Sequence, residues 1–312
     1  MLSRYLFRPI GFYLALFLSC SQAVATSEGC EQATDLLFHA YYLYSEGRAV
    51  SQQKLLFNKS LQLCSEKPEV HSSLASLLVK QNKDPKALYH YQEAIRYDNG
   101  FSPAWHGLGE IYYKHKRFPL SLEAFSHACQ SREDSKARAI ALLKSQRYTF
   151  TEPGDMIDQE DLLVLYDAQR RQALKKRLRE CGLGEVEVQP IHIFFNLVFE
   201  LSEATLSLGT ESQLDEIAEA LQKIHSNVKI HGYADENPYL YRTTAMSNKL
   251  NWELSLNRAG TVASALAQRG VSIERMETIA HGFKEVIVSS KSLSDEAMSR
   301  RVEIEVEEIE EW

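Results

Sequence analysis

The chain has 312 residues, with 42 acidic side chains against 35 lysines and arginines, for a formal net charge of -7. Length sets room for two ordinary domains, and apolar and charged fractions of 44% and 25% are those of a globular protein, which excludes wholesale disorder. No basic stripe with interleaved aromatics runs through it, which argues against a nucleic-acid binder.

Residues 1–25 read as an export signal. Arg4 and Arg8 form a short basic region, Ile10 to Leu18 an apolar run, and Ala23-Val24-Ala25 a small-x-small cleavage site, with the cut expected after Ala25. The run is too short to span hydrocarbon, which favours cleavage over a retained anchor. Leu18-Ser19-Cys20 is compatible with a lipoprotein site, although Phe17 and Leu18 fit it poorly. No second long apolar run follows, so the mature chain is expected to lack a membrane span. Cys30, Cys64, Cys129 and Cys181 then remain, an even number suited to an oxidising compartment. None forms a C-x-x-C pair, so neither a zinc site nor a thioredoxin-like motif is expected, and four cysteines allow three pairings. Cys30 with Cys64 is the expected pair, because the two flank the first repeat described next.

Residues 26–148 carry a helical repeat. Trp105, Leu108, Gly109, Tyr112, Phe125 and Ala128 fall at the spacing of a tetratricopeptide repeat, a helix-turn-helix unit of about 34 residues. One period earlier stand Leu74, Ala75, Leu78, Tyr91 and Ala94, and Pro85 and Pro119 are also one period apart. A further step back gives Ala40, Tyr41, Tyr44, Phe57 and Ser60, a more degenerate copy. This region therefore resembles three tetratricopeptide repeats, at 33–66, 67–101 and 102–135, closed by a helix over Ser135 to Tyr148. The small residues let paired helices approach, and one repeat cannot bury its apolar face alone. Such a solenoid usually docks a peptide or protein partner on its concave face; a spacer or a dimer surface is the alternative.

Residues 149–185 read as a linker and connecting helix. Thr149 to Asp161, with Pro153-Gly154, is expected to be irregular, and Leu162 to Cys181 a single amphipathic helix stopped by Gly182-Leu183-Gly184. Its basic run from Arg170 to Arg179 reads as a solvated face.

From 186 to 312 the pattern alternates strands and helices. Strands are expected at Ile191 to Phe199, Val228 to Tyr233, Thr278 to Gly282 and Arg301 to Val306, and helices at Glu211 to Ile224 and Trp252 to Arg269. In the last strand Val302, Ile304 and Val306 face one way and Arg301, Glu303 and Glu305 the other. The expected fold class is thus an α-solenoid followed by an α+β domain with helices on one face of a mixed sheet.

Four motifs in order identify this second half with a known family. Gly232-Tyr233-Ala234-Asp235 is similar to the Gly-His-Thr-Asp of OmpA-like domains, and Asn251-Trp252-Glu253-Leu254-Ser255-Leu256-Asn257-Arg258-Ala259 to their N-x-x-L-S-x-x-R-A helix. Gly270-Val271 follows, then Arg300-Arg301-Val302-Glu303-Ile304, similar to the closing R-R-V-E-I strand. Tyr233, Ala234 and Ser299 stand where the family has His, Thr and Asn. The helix wording and the long segment between Asp235 and Asn251 look most like flagellar stator MotB proteins, which differ in having a transmembrane helix and no tetratricopeptide repeats.

The resemblance implies a βαβαβ domain that binds peptidoglycan non-covalently through the diaminopimelate of its stem peptide. It implies that Asp235 holds the ammonium of that residue and Arg258 its carboxylate, a task to which a planar guanidinium is suited. Asn251 is expected to brace the loop or contact ligand, and Arg301 to line the same pocket. A purely structural Asp235–Arg258 pair is the alternative. The family places the protein in a Gram-negative periplasm, wall-associated. No cofactor or metal is expected. Catalysis is not expected either: the ten histidines include no H-E-x-x-H, and neither G-x-S-x-G nor a Gly-rich phosphate loop occurs.

Overall fold

A computed structural model describes residues 27–45, 50–151, 159–184, 188, 192–206, 210–235, 239–283 and 299–307. The export signal lies outside the described residues. The chain divides into two compact units, one up to residue 66 and one from residue 67 onward.

In the first unit, helices α1 (Ser27–Ser45) and α2 (Val50–Leu63) pair. Ala33, Leu37 and Ala40 of α1 and Phe57 and Ser60 of α2 are buried, and the Ser60 hydroxyl donates to the Ala33 carbonyl at 2.7 Å. The expected Cys30–Cys64 disulfide joins the helix ends, with the two Cα atoms 4.8 Å apart.

The second unit begins with two helical hairpins, α3 (Pro68–Lys80) with α4 (Asp84–Tyr97) and α5 (Ser102–Lys114) with α6 (Phe118–Ala128), closed by α7 (Glu133–Ser145). Pro85 and Pro119 occupy the first turn of α4 and α6, where a missing N–H costs nothing. The hairpin bends also repeat. Asn82 and Lys116 are both left-handed, and the following N–H groups return to Leu78 O (3.0 Å) and Tyr112 O (2.9 Å), the paired bonds that cap a helix C-terminus. Glycine is required at the helix crossing: a Cβ on Gly109 would lie 2.5 Å from the Phe125 ring.

The segment read as a linker and one helix is more ordered than expected where it is described. Strand β1 (Phe150–Thr151) precedes residues 152–158, which lie outside the described residues. The expected single helix is two, α8 (Gln159–Tyr166) and α9 (Ala168–Glu180), because Asp167 turns the chain and accepts from Arg170 N at 2.7 Å as an N-cap. The basic run is not all solvated: Arg170 meets both oxygens of Glu123 (2.7 and 2.9 Å), and Arg177 reaches Ser126 Oγ at 2.9 Å. A second disulfide, Cys129–Cys181, holds the ends of α6 and α9. Gly182 and Gly184 adopt positive φ and stop α9 as expected.

The remaining elements are β2 (His192–Val198), α10 (Thr210–Lys223), β3 (Val228–Tyr233), α11 (Thr244–Gln268), β4 (Met276–Gly282) and β5 (Arg301–Val306). The sheet order is β1-β2-β5-β3-β4; β1 runs parallel to β2 and β4 to β3, while β5 is antiparallel to both neighbours. Leu214, Ile217 and Leu221 of α10 and Val262 and Leu266 of α11 pack on Val228, Ile230, Val302, Ile304 and Val306, so helices cover one sheet face as expected. Helix α8 belongs to two cores at once: Leu162 joins this cluster, whereas Val164 and Leu165 join one around Phe125 and Leu142 of the repeats. Its Tyr166 hydroxyl donates to the Val306 carbonyl. Among the described residues no helix is long and apolar enough to cross a membrane.

Candidate functional site

The site forms where β3 ends beneath the first half of α11. That helix starts eight residues earlier than its apolar pattern predicts, because Thr243 caps it by accepting from Met246 N at 3.2 Å. Its early turns are polar, yet Ser247, Asn251 and Ser255 are buried. They serve as anchors for loops. Asn251 Nδ2 donates to the Asp235 carbonyl at 3.3 Å, Ser247 Oγ accepts from Tyr239 N at 3.2 Å, and Ser255 Oγ accepts from Gly282 N at 3.0 Å. Gly232 lets α11 lie this close: a Cβ there would sit 1.9 Å from the Ser255 carbonyl oxygen. Asn251 thus braces the loop.

Asp235 follows β3 by two residues and is buried. Its carboxylate faces Arg300 Nη1 at 3.4 Å, while Arg300 Nε donates to the Phe199 carbonyl at 3.1 Å. Arg258 is fully buried, at 0% exposure. Its Nε, Nη1 and Nη2 donate to the carbonyls of Glu203, Tyr233 and Glu200 at 2.8, 2.9 and 2.9 Å. Burial lowers its pKa to about 10, opposed by the nearby Asp235 charge. It stays cationic at neutral pH, and it also fastens the 200–203 loop to the end of β3. Tyr239 borders the same charges, and burial pushes its hydroxyl pKa up.

Arg301 lies elsewhere. It is on the sheet face opposite the helices, where Nε donates to Glu303 Oε1 at 2.6 Å and the guanidinium covers the Tyr233 ring at 3.9 Å. Tyr233 donates to Glu303 Oε2 at 3.0 Å and stacks on His281 with ring centroids 4.6 Å apart. The tyrosine that replaces the family histidine is therefore part of this outer-face stack. The structure brings Asp235, Arg258 and Asn251 together and adds Arg300 and Tyr239, which the sequence reading passed over. Alternation would have found Arg300: it shares parity with the inward-facing Val302, and Arg301 does not. No such signal marked Tyr239.

A carboxylate flanked by two guanidiniums, all in low exposure, suits recognition of a zwitterion. Among the described residues no group of three or more His, Cys, Asp or Glu side chains is placed to hold a metal ion.

Parts of the chain are similar to known proteins. The probable lipoprotein YiaD of Escherichia coli is 34% identical over 110 residues, which cover 35% of this chain and 47% of YiaD. The chloroplastic tetratricopeptide repeat domain-containing protein PYG7 of Arabidopsis thaliana is 33% identical over 57 residues, 18% of this chain and 19% of its own. The chain thus spans less than half the length of either curated relative. A crystal structure of the periplasmic domain of Helicobacter pylori MotB superposes with a TM-score of 0.33 at 24% identity, covering 38% of this chain and 81% of that one. Residues 198–300, from the end of β2 to the start of β5, match the profile of the OmpA family and form an OmpA family domain.

Proposed function

We propose that the protein anchors itself non-covalently to peptidoglycan in the cell envelope of a Gram-negative bacterium, by holding the diaminopimelate of a stem peptide at Asp235. The observation that carries this reading is the buried carboxylate of Asp235 set beside the cations Arg258 and Arg300 at the end of β3. The ligand's ammonium pairs with Asp235 and its carboxylate with the guanidinium of Arg300, while Arg258, enclosed and bonded to three carbonyls, contributes its charge without an open edge, so one residue with both charges is favoured over either charge alone. YiaD is described as a probable lipoprotein and MotB as having a periplasmic domain, which is consistent with an envelope setting. The tetratricopeptide-like repeats, in this reading, dock a protein partner at the wall. The alternative makes the repeats the working part of a scaffold and the OmpA family domain a weak wall anchor.

Sedimentation with purified sacculi tests the reading. Asp235→Asn keeps the shape of the side chain and removes its charge, so it is expected to stay folded and remain in the supernatant. Free diaminopimelate is expected to release the parent protein from the wall. Co-sedimentation of the folded Asp235→Asn protein at the parent's level would place wall binding away from this site. The full chain is the right material, because α8 contributes to the cores of both halves.

A further inference from the structure

Strand β4 is an edge of the sheet: β3 lies on one side of it, and among the described residues no strand lies on the other. About half of the backbone N–H and C=O groups of such a strand point away from its neighbour. Among the described residues, no hydrogen bond from Glu277 to Ala280 reaches beyond β3. Helix α11 does not cover this edge. Thr278 is in register with Ile230, which is fully buried beneath the helices, so both point to the helix side; yet Thr278 is exposed. The space beside it is an open groove of about 750 Å³, lined by Leu206, Thr278 and, on α11, Leu256, Gly260, Ser264 and Ala265. A Cβ added to Gly260 meets nothing within 4 Å. Gly260 and Ser264 lie about two to four turns past Asn251, on a different stretch of α11 from the one that holds Asp235. Charge along the edge is one-sided. Glu277, on the face opposite the helices, is exposed, and so is Glu274 just before the strand. The cations beside them are engaged: Lys229, in register with Glu277, is bonded to Glu307, and Arg275 donates to the carbonyls of Ser226 and Leu221.

We propose that the β4 edge docks an extended segment of a partner protein, which adds a strand to the sheet. Its backbone pairs with β4. Alternate side chains are apolar and enter the groove beside α11; those between are lysine or arginine and face Glu277 and Glu274. Main-chain hydrogen bonds then supply affinity, and the groove and the two carboxylates supply specificity. Two copies of this chain paired through the same edge would set two acidic strands side by side, whereas a basic segment relieves that charge. The docking edge is independent of the diaminopimelate reading and of the concave face of the repeats.

The test is calorimetry on the full chain with an end-capped peptide in which leucine and lysine alternate. Its control is the same peptide with every backbone nitrogen methylated, which keeps side chains and charge and removes the donors. The parent is expected to bind the peptide and to bind the control at least about tenfold more weakly. Gly260→Leu fills the groove from a helix position with room for a side chain, and Glu277→Lys reverses the charge. Each is expected to stay folded, as read by its melting curve, and to weaken the peptide by about tenfold or more. Failure of the parent to bind, equal affinity for the methylated control, or full affinity in either variant overturns the proposal. A concentration-dependent dimer of the parent that Gly260→Leu abolishes overturns it too, by making the edge an interface between copies.

Discussion

Arg258→Ala separates a ligand-binding arginine from a structural one, and the structure sets the size of the effect. The guanidinium satisfies three carbonyls, two in the 200–203 loop and one at the end of β3, from a position with no exposure. Hydrogen bonds from a charged donor contribute about 1.5–3 kcal/mol each, but they are not additive, and removing the cation also removes its burial cost. The balance is a loss of about 3–5 kcal/mol, or roughly 10 °C in melting temperature for a unit of this size. Arg258→Lys, with one point of charge for three acceptors, is expected to recover less than half of that. Guanidinium chloride unfolding of the parent, both Arg258 variants and Asp235→Asn, with sacculus sedimentation of the same samples, reads both roles. Asp235→Asn should lose wall binding while remaining folded, since the amide keeps the shape of the buried carboxylate and removes only its charge. An Arg258→Ala protein that unfolds within about 1 kcal/mol of the parent would refute the carbonyl clamp.

Gly232→Ala should be among the most damaging single-methyl changes in the chain, because the new Cβ meets the Ser255 backbone oxygen at 1.9 Å and α11 must lift from the sheet; a loss of about 2–3 kcal/mol is expected by denaturant unfolding. Replacing Cys129 and Cys181 by serine opens a 52-residue loop and should cost about 4 kcal/mol, measured against the parent under non-reducing conditions. His127, stacked on Trp105 at 3.8 Å, has its pKa lowered to about 3 by burial and by Arg177 and Arg170. The unfolded chain therefore takes up a proton that the folded chain refuses, so stability is full above pH 6.5 and falls as pH drops towards 3; the loss should reach about 2 kcal/mol near pH 5, and His127→Phe should flatten that stretch of the profile. Mass spectrometry of the exported protein should show Thr26 as its first residue, and a lipidated Cys20 would refute the cleavage reading.

Local and periodic features were legible in the sequence. The 34-residue spacing of aromatics, small residues and prolines fixed the helical hairpins, because each repeat meets the same neighbours and so needs the same side chains at the same places. The strands β3 and β5 have the bounds that their β-rich runs predicted, and alternation assigned Val302, Ile304 and Val306 to the core. The Cys30–Cys64 pair followed from the antiparallel course of one hairpin. What only the tertiary structure decided depends on partners distant in the chain. The start of α11 was hidden because its first turns carry Ser247 and Asn251, polar residues buried to hold loops, which no hydrophobic period reveals. The run from Arg170 to Arg179 looked solvated because Glu123, its partner, lies 47 residues before Arg170. Arg258 and Asp235 were found by motif, but whether the arginine waits for a ligand or holds carbonyls depends on where residues 200–203 pass, and that is set by the sheet and not by any spacing around position 258.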